Sequence, residues 1–213
     1  SWDGDRNDLV LEAAQRYADR FAVMGRMSME APESRARIAT WRDQRGMLGL
    51  RCSFNRPKWA PVLTEGRVDW LWRVLEAAAI PMMIRVTFPY VHLVDRIAER
   101  HPQLRIVLDH LALDGLSKDD AAFAGLDRLL VVAARPNVAV KLTCLPAYTT
   151  DTYPFRRLHP HLRRVYDAFG ARRMFWASDL TRLPCGYSQA IGMINEIPWL
   201  SDDDRQWILG RGV

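Results

Sequence analysis

Six short runs rich in Val, Ile, Leu and Met alternate along the chain with stretches of helical period, and none is followed directly by another. The runs lie at 21–27, 46–54, 81–86, 105–113, 137–143 and 173–179. Helical segments are expected at 8–19, 33–42, 68–79, 91–100, 118–134, about 162–169, 188–196 and 202–209, the loop before 68 carrying two prolines. Alternation without hairpin signals dictates parallel strands joined by right-handed crossovers. Two architectures satisfy it, a doubly wound open sheet and a (β/α)₈ barrel. The open sheet should carry a glycine-rich phosphate turn after an early strand. The first run instead leads into Met27-Ser28-Met29-Glu30, and no Gly-x-Gly-x-x-Gly occurs. Six strands cannot close an eight-stranded barrel, which takes about 250 residues. The expectation is therefore an α/β chain of the (β/α)₈ TIM-barrel type. Residues 1–213 form one domain holding strands three to eight, without the first two βα units.

The central run is Arg105-Ile106-Val107-Leu108-Asp109-His110-Leu111-Ala112-Leu113, closed by Asp114-Gly115. Its length and apolar content read as a buried parallel strand that carries a carboxylate and an imidazole. His110 lies toward the C-terminal end, where α/β folds place ligands. Other strands deliver polar groups to corresponding positions: Arg51, Arg85, Lys141 and Asp179. A histidine and an aspartate on one rim suit acid–base work or a divalent metal. Arginines beside them suit an anionic substrate, because guanidinium pairs bidentately with carboxylate. Each residue also has a structural reading. His110 is a hydrogen-bonded strand end, Asp179 a turn cap, Arg51 and Arg85 partners of rim carboxylates, and Lys141 a snorkelling side chain.

Other candidates are weaker. His159-Pro160-His161 sits at a helix start, where residues two apart diverge, so it is not expected to chelate a metal. His92 and His101 are expected in solvent. Cys52, Cys144 and Cys185 are odd in number and widely spaced, against a disulfide framework or structural zinc and in keeping with a reducing cytoplasm. Cys52 and Cys144 lie at strand ends, and neither has a clear general-base partner nearby in sequence. The net charge of +5 is modest, and no basic stripe interleaved with aromatics points to nucleic acid. No apolar run reaches the length of a membrane span. The polar opening Ser1-Trp2-Asp3-Gly4-Asp5-Arg6 does not read as a signal peptide, and without an initiator Met it suggests a fragment or a trimmed chain.

Several segments in order resemble the amidohydrolase-related family of metal-dependent hydrolases. They are Asp19-Arg20-Phe21, Gly46-Met47-Leu48-Gly49-Leu50-Arg51, Leu108-Asp109-His110-Leu111, Pro136-Asn137-Val138-Ala139-Val140-Lys141-Leu142 and Arg173-Met174-Phe175-Trp176-Ala177-Ser178-Asp179. The likeness covers nearly the whole chain, in the order of the third to eighth strands. It implies a (β/α)₈ barrel whose members include dicarboxylate lactonases, aromatic-acid decarboxylases and hydratases. It implies that Asp179 binds a metal or acts as general base on water. It further implies that His110 polarises or protonates the substrate and that Arg51 holds a substrate carboxylate. The chain departs from the family pattern twice. The first-strand His-x-His pair would lie before Ser1, and the fifth-strand metal-binding histidine position resembles Arg85, beside which a cation is less favoured.

The resemblance thus points to a hydrolase of a small carboxylated lactone or cyclic ester. Asp179 activates water, His110 assists, Arg51 and Arg85 bind the acid, and a divalent ion (zinc or manganese) is the candidate cofactor. A second reading is a metal-dependent non-oxidative decarboxylase of an aromatic or unsaturated acid. A third, from another class, is an inactive barrel fragment. Open sheet edges predict association with further copies.

Overall fold

A computed structural model describes residues 5–213. Residues 1–4 of the polar opening noted above lie outside the described residues. Six parallel strands form one sheet in sequence order: β1 (Val23–Gly25), β2 (Met47–Ser53), β3 (Met82–Arg85), β4 (Ile106–Leu108), β5 (Val138–Thr143) and β6 (Met174–Ala177). Every strand neighbours the next, which is the connectivity of a barrel wall rather than of a doubly wound sheet. The sheet is a curled arc of the (β/α)₈ type, open between β1 and β6 among the described residues.

The arc has two unlike faces because strand side chains alternate. Leu50, Ile84, Ile106, Leu108 and Val140 are fully buried beneath the helices. Arg51, Met83, Val107, Ala139 and Lys141 point to the other face and are half-buried. The covering helices are α1 (Asp8–Arg16), α2 (Ser34–Ala39), α3 (Ala60–Thr64), α4 (Asp69–Ala77), α5 (Val91–Arg100), α6 (Asp119–Ala122), α7 (Leu126–Val132), α8 (His159–Phe169), α9 (Tyr187–Asn195) and α10 (Asp202–Gln206). Helix α5 shows why they pack: Val91, Val94, Ile97 and Ala98 make one buried stripe at helical spacing.

Three elements differ from the sequence expectation. The central run is a strand only over Ile106–Leu108. At Asp109 it enters a 3₁₀ turn in which His110, Leu111 and Ala112 all take positive φ (55°, 52° and 58°). The helix expected at 118–134 is two helices, α6 and α7. The break holds Gly125, where a Cβ would lie 2.6 Å from the Phe88 ring. The proline loop holds the short helix α3, with Pro61 in its first turn, where a missing N–H costs nothing.

Polar ties hold the loops at the N-terminal ends of the strands. The Asn137 amide donates to the carbonyls of Ala98, His101 and Leu104 at 3.2, 3.0 and 3.0 Å. His101, expected in solvent, instead meets Glu76 through Nδ1 at 2.9 Å, while His92 is exposed. Among the described residues no helix is long and apolar enough to cross a membrane.

Candidate active site

A pocket of about 520 Å³ opens at the carboxyl ends of the strands. Arg51, Arg85, His110 and Asp179 all line it, so the sheet gathers four of the five strand-end residues singled out from sequence onto one rim, Lys141 being the exception. Each arrives differently. Arg51 projects from late in β2, and Arg85 is the last residue of β3. His110 is carried out by the left-handed turn after β4. Asp179 follows β6 with φ of 46° and precedes the 3₁₀ turn Leu180–Arg182, its side chain making no cap hydrogen bond to it.

Beneath the pocket lies Asp109, whose side chain has no solvent exposure. Arg51 donates to its Oδ2 from Nε at 2.8 Å and also from Nη2. Thr143 Oγ1 donates to Oδ1 at 3.4 Å, and Lys141 Nζ stands 3.5 Å from the same oxygen. Burial opposes the charge, but Arg51 and Lys141 outweigh it and hold the Asp109 carboxyl down to about 2. Lys141 is thus drawn to a buried carboxylate rather than standing on the rim. Arg51 has its planar fork engaged by Asp109 while one side still faces the pocket.

Arg85 is differently placed. It is 5% exposed, and among the described residues its guanidinium finds the Asp109 carbonyl, at 3.5 Å. No ion pair joins it to a carboxylate among the described residues. Burial lowers its proton affinity, with nearby Tyr148 and Asp109 opposing. A buried guanidinium that lines a pocket and is short of a counter-charge is chemically suited to an anion.

His110 is 5% exposed. Its Nε2 stands 3.9 Å from Asp179 Oδ2 and 3.9 Å from Asp109 Oδ2. Burial drives its proton affinity down to about 3. Asp109 opposes this, but the charges of Arg85, Arg51 and Lys141 add to it, so the imidazole is neutral near pH 7. On the other side of the ring, Nδ1 lies 3.3 Å from the Tyr148 hydroxyl. Cys52 also lines the pocket, but burial pushes its thiol up to about 12, which leaves no thiolate to act as nucleophile.

The expected metal does not find a full ligand set here. His110 and Asp179 are a pair, Arg51, Arg85 and Arg182 crowd the same space, and no group of three or more His, Cys, Asp or Glu converges among the described residues. These residues do not fit a divalent ion by themselves. The two histidines of α8 do not make a site either. His161 stacks on Phe123 at 4.1 Å and meets Asp120 at 3.0 Å, while His159 is half-buried at the helix start.

Tyr148 and Arg182 are groups beside the pocket that sequence reasoning passed over, and Asp109 was noted in its run but given no role. For Asp109 a signal existed, since a charge inside an apolar run must be paired once buried. Tyr148 and Arg182 lie in loops whose course no periodicity reports.

A parallel α/β arc with charged and polar groups gathered at the strand carboxyl ends defines a domain of the (β/α)-barrel class. Residues 3–211 match the amidohydrolase family, and the chain belongs to it. The L-fucono-1,5-lactonase of Burkholderia ambifaria is 29% identical over 181 residues. That match takes in 80% of this chain and 58% of the lactonase, so the chain spans little more than half the length of this curated relative. Among solved structures, a zinc-bound amidohydrolase from Burkholderia multivorans superposes with a TM-score of 0.82 at 24% identity, over 96% of this chain and 75% of that one. A probable 2-pyrone-4,6-dicarboxylic acid hydrolase from Acinetobacter baumannii, with citric acid bound, gives 0.72 at 15% identity, over 98% and 77%. At these identities the two structures share the fold.

Proposed function

We propose that this chain is the site-bearing part of a hydrolase that opens a small carboxylated lactone or cyclic ester. Residues 1–213 would correspond to strands three to eight of the barrel. The observation that carries this reading is the approach of Asp179 Oδ2 to His110 Nε2, at 3.9 Å, in a pocket that also presents the Arg85 guanidinium, which forms no ion pair among the described residues. The lactonase of B. ambifaria supports the ester class, and the citrate-bound relative supports a carboxylated ligand.

In the reaction, Asp179 takes a proton from water as the water oxygen attacks the lactone carbonyl carbon. The ring C–O bond then breaks, the leaving alkoxide takes back the proton that Asp179 removed, and a hydroxy acid results with Asp179 again a carboxylate. His110 stands beside the reacting oxygens. Arg85 holds the substrate carboxylate, and Arg51, locked to Asp109, adds positive potential from below. No step is routed through a metal, because the residues described do not assemble one.

The test is hydrolysis of a panel of sugar and dicarboxylate lactones by the full chain. Asp179→Asn is expected to lower kcat by about 10²–10⁴-fold, the scale of a lost general base. Arg85→Gln is expected to raise KM for carboxylated lactones while sparing neutral ones. Wild-type protein inert on the whole panel, or an Asp179→Asn variant as active as wild type, would sink the reading.

A further inference from the structure

Tyr148 ends the 3₁₀ turn Leu145–Tyr148 that follows β5, and its side chain is fully buried. Its hydroxyl lies 3.3 Å from His110 Nδ1. Direction follows from chemistry. The positive charges of Arg85 and Arg182 act on the phenol and favour its oxygen lone pairs turned toward them, with the hydrogen turned away. The phenol keeps its own proton, because burial pushes its pKa up. That proton needs an acceptor, and His110 Nδ1 is within reach. A neutral imidazole whose Nδ1 accepts carries its hydrogen on Nε2.

The far end of the ring argues the same way. His110 Nε2 faces two carboxylate oxygens, Asp109 Oδ2 and Asp179 Oδ2, each at 3.9 Å. A bare lone pair there would face negative charge on both sides, whereas an N–H is attracted by both.

We propose that Tyr148 is a positioning residue that donates its hydroxyl hydrogen to His110 Nδ1 and so fixes His110 as the Nε2–H tautomer. His110 is then a hydrogen-bond donor toward the oxygen that gains charge in the reaction, and Asp179 is left as the base. The catalytic consequence rests on the hydrolytic reading above, but the position of the proton does not.

The experiment is nitrogen NMR of the full chain with selectively labelled histidine and no substrate. The His110 signals are assigned by their loss in His110→Asn. Wild type is expected to show a protonated Nε2 and an unprotonated Nδ1. Tyr148→Phe, which keeps the ring and removes the hydroxyl, is expected to move His110 toward the Nδ1–H form. On a lactone substrate the same variant should lose about tenfold or more in kcat with KM within about twofold. A wild-type His110 protonated at Nδ1 overturns the proposal, and that reading needs no variant to fold. So does a Tyr148→Phe variant with an unchanged tautomer or an unchanged kcat. Inert wild-type protein would sink the hydrolase reading alone, leaving the NMR result to decide the role of Tyr148.

Discussion

Asp109 and His110 are neighbours in sequence that behave oppositely toward protons, and both make the fold acid-sensitive. Folded Asp109 titrates at about 2 against an ordinary 3.8. Its stabilising charge is therefore fully present above about pH 4 and fades as the pH falls toward 2. Folded His110 accepts its proton only at about 3 against an ordinary 6.5. The unfolded chain takes that proton first, so stability drops as the pH falls from 6.5 toward 3, by up to about 1.4 kcal/mol per pH unit. Between about pH 6 and pH 4, denaturant unfolding should show this slope in wild type, and His110→Asn should flatten it. An equal slope in both proteins would mean that His110 is not buried as a neutral ring. The polar pair inside an apolar run was legible in the sequence. Its wiring was not, because Arg51 reaches Asp109 across 58 positions and only the β2, β3 and β4 register brings them together.

The element that sequence reading described least well is the one holding the site. An apolar run of nine residues reads as a long strand, since periodicity cannot tell a strand from a tight buried turn of the same composition. The chain instead leaves β4 after Leu108 and takes three successive non-glycine residues through positive φ. Each such residue costs roughly 1–2 kcal/mol. That strain is matched by burial, for Leu111, Ala112 and Leu113 are fully enclosed, and it sets His110 on the rim rather than in the sheet. The expected helix at 118–134 fails for a related reason, since the close approach of Gly125 to Phe88 is a tertiary fact. Helix α5, by contrast, was read to the residue, because its amphipathic stripe is local. The turn makes a pointed prediction. Ala112→Gly should leave stability unchanged or raise it by up to about 1 kcal/mol, because glycine bears positive φ without strain. Ala98→Gly, inside α5, should lose about 1 kcal/mol. Urea unfolding of the two variants compares them directly, and equal losses would mean the turn is not left-handed.

Across the whole molecule, the parallel order of the six strands was legible because alternation of β and α leaves few topologies. What alternation does not encode is closure. The C-terminal turn lies against β6, where the position of Gly212 leaves a Cβ 2.7 Å from the Phe175 ring. The β1 edge is barer. Its far end is blunted by Asn7, whose amide donates to the Arg26 carbonyl and accepts from the Arg26 N–H, both at 2.8 Å. That is a side-chain imitation of a strand partner and limits edge pairing to the short stretch before it. Nearby, Tyr17 and Phe21 pack edge to face at 6.3 Å and remain exposed. Phe21 and Leu48 border a shallow hollow of about 290 Å³. Exposed apolar side chains beside an unpaired parallel strand favour contact with another surface. The chain of 213 residues, expressed by itself, is therefore expected to sediment as concentration-dependent oligomers. The double substitution Phe21→Glu and Leu48→Glu should shift it toward monomer, because two like charges in the hollow repel a second copy and cost desolvation. A sharp monomer boundary at every concentration, with cooperative unfolding, would mean that Asn7 and the helices already protect this edge.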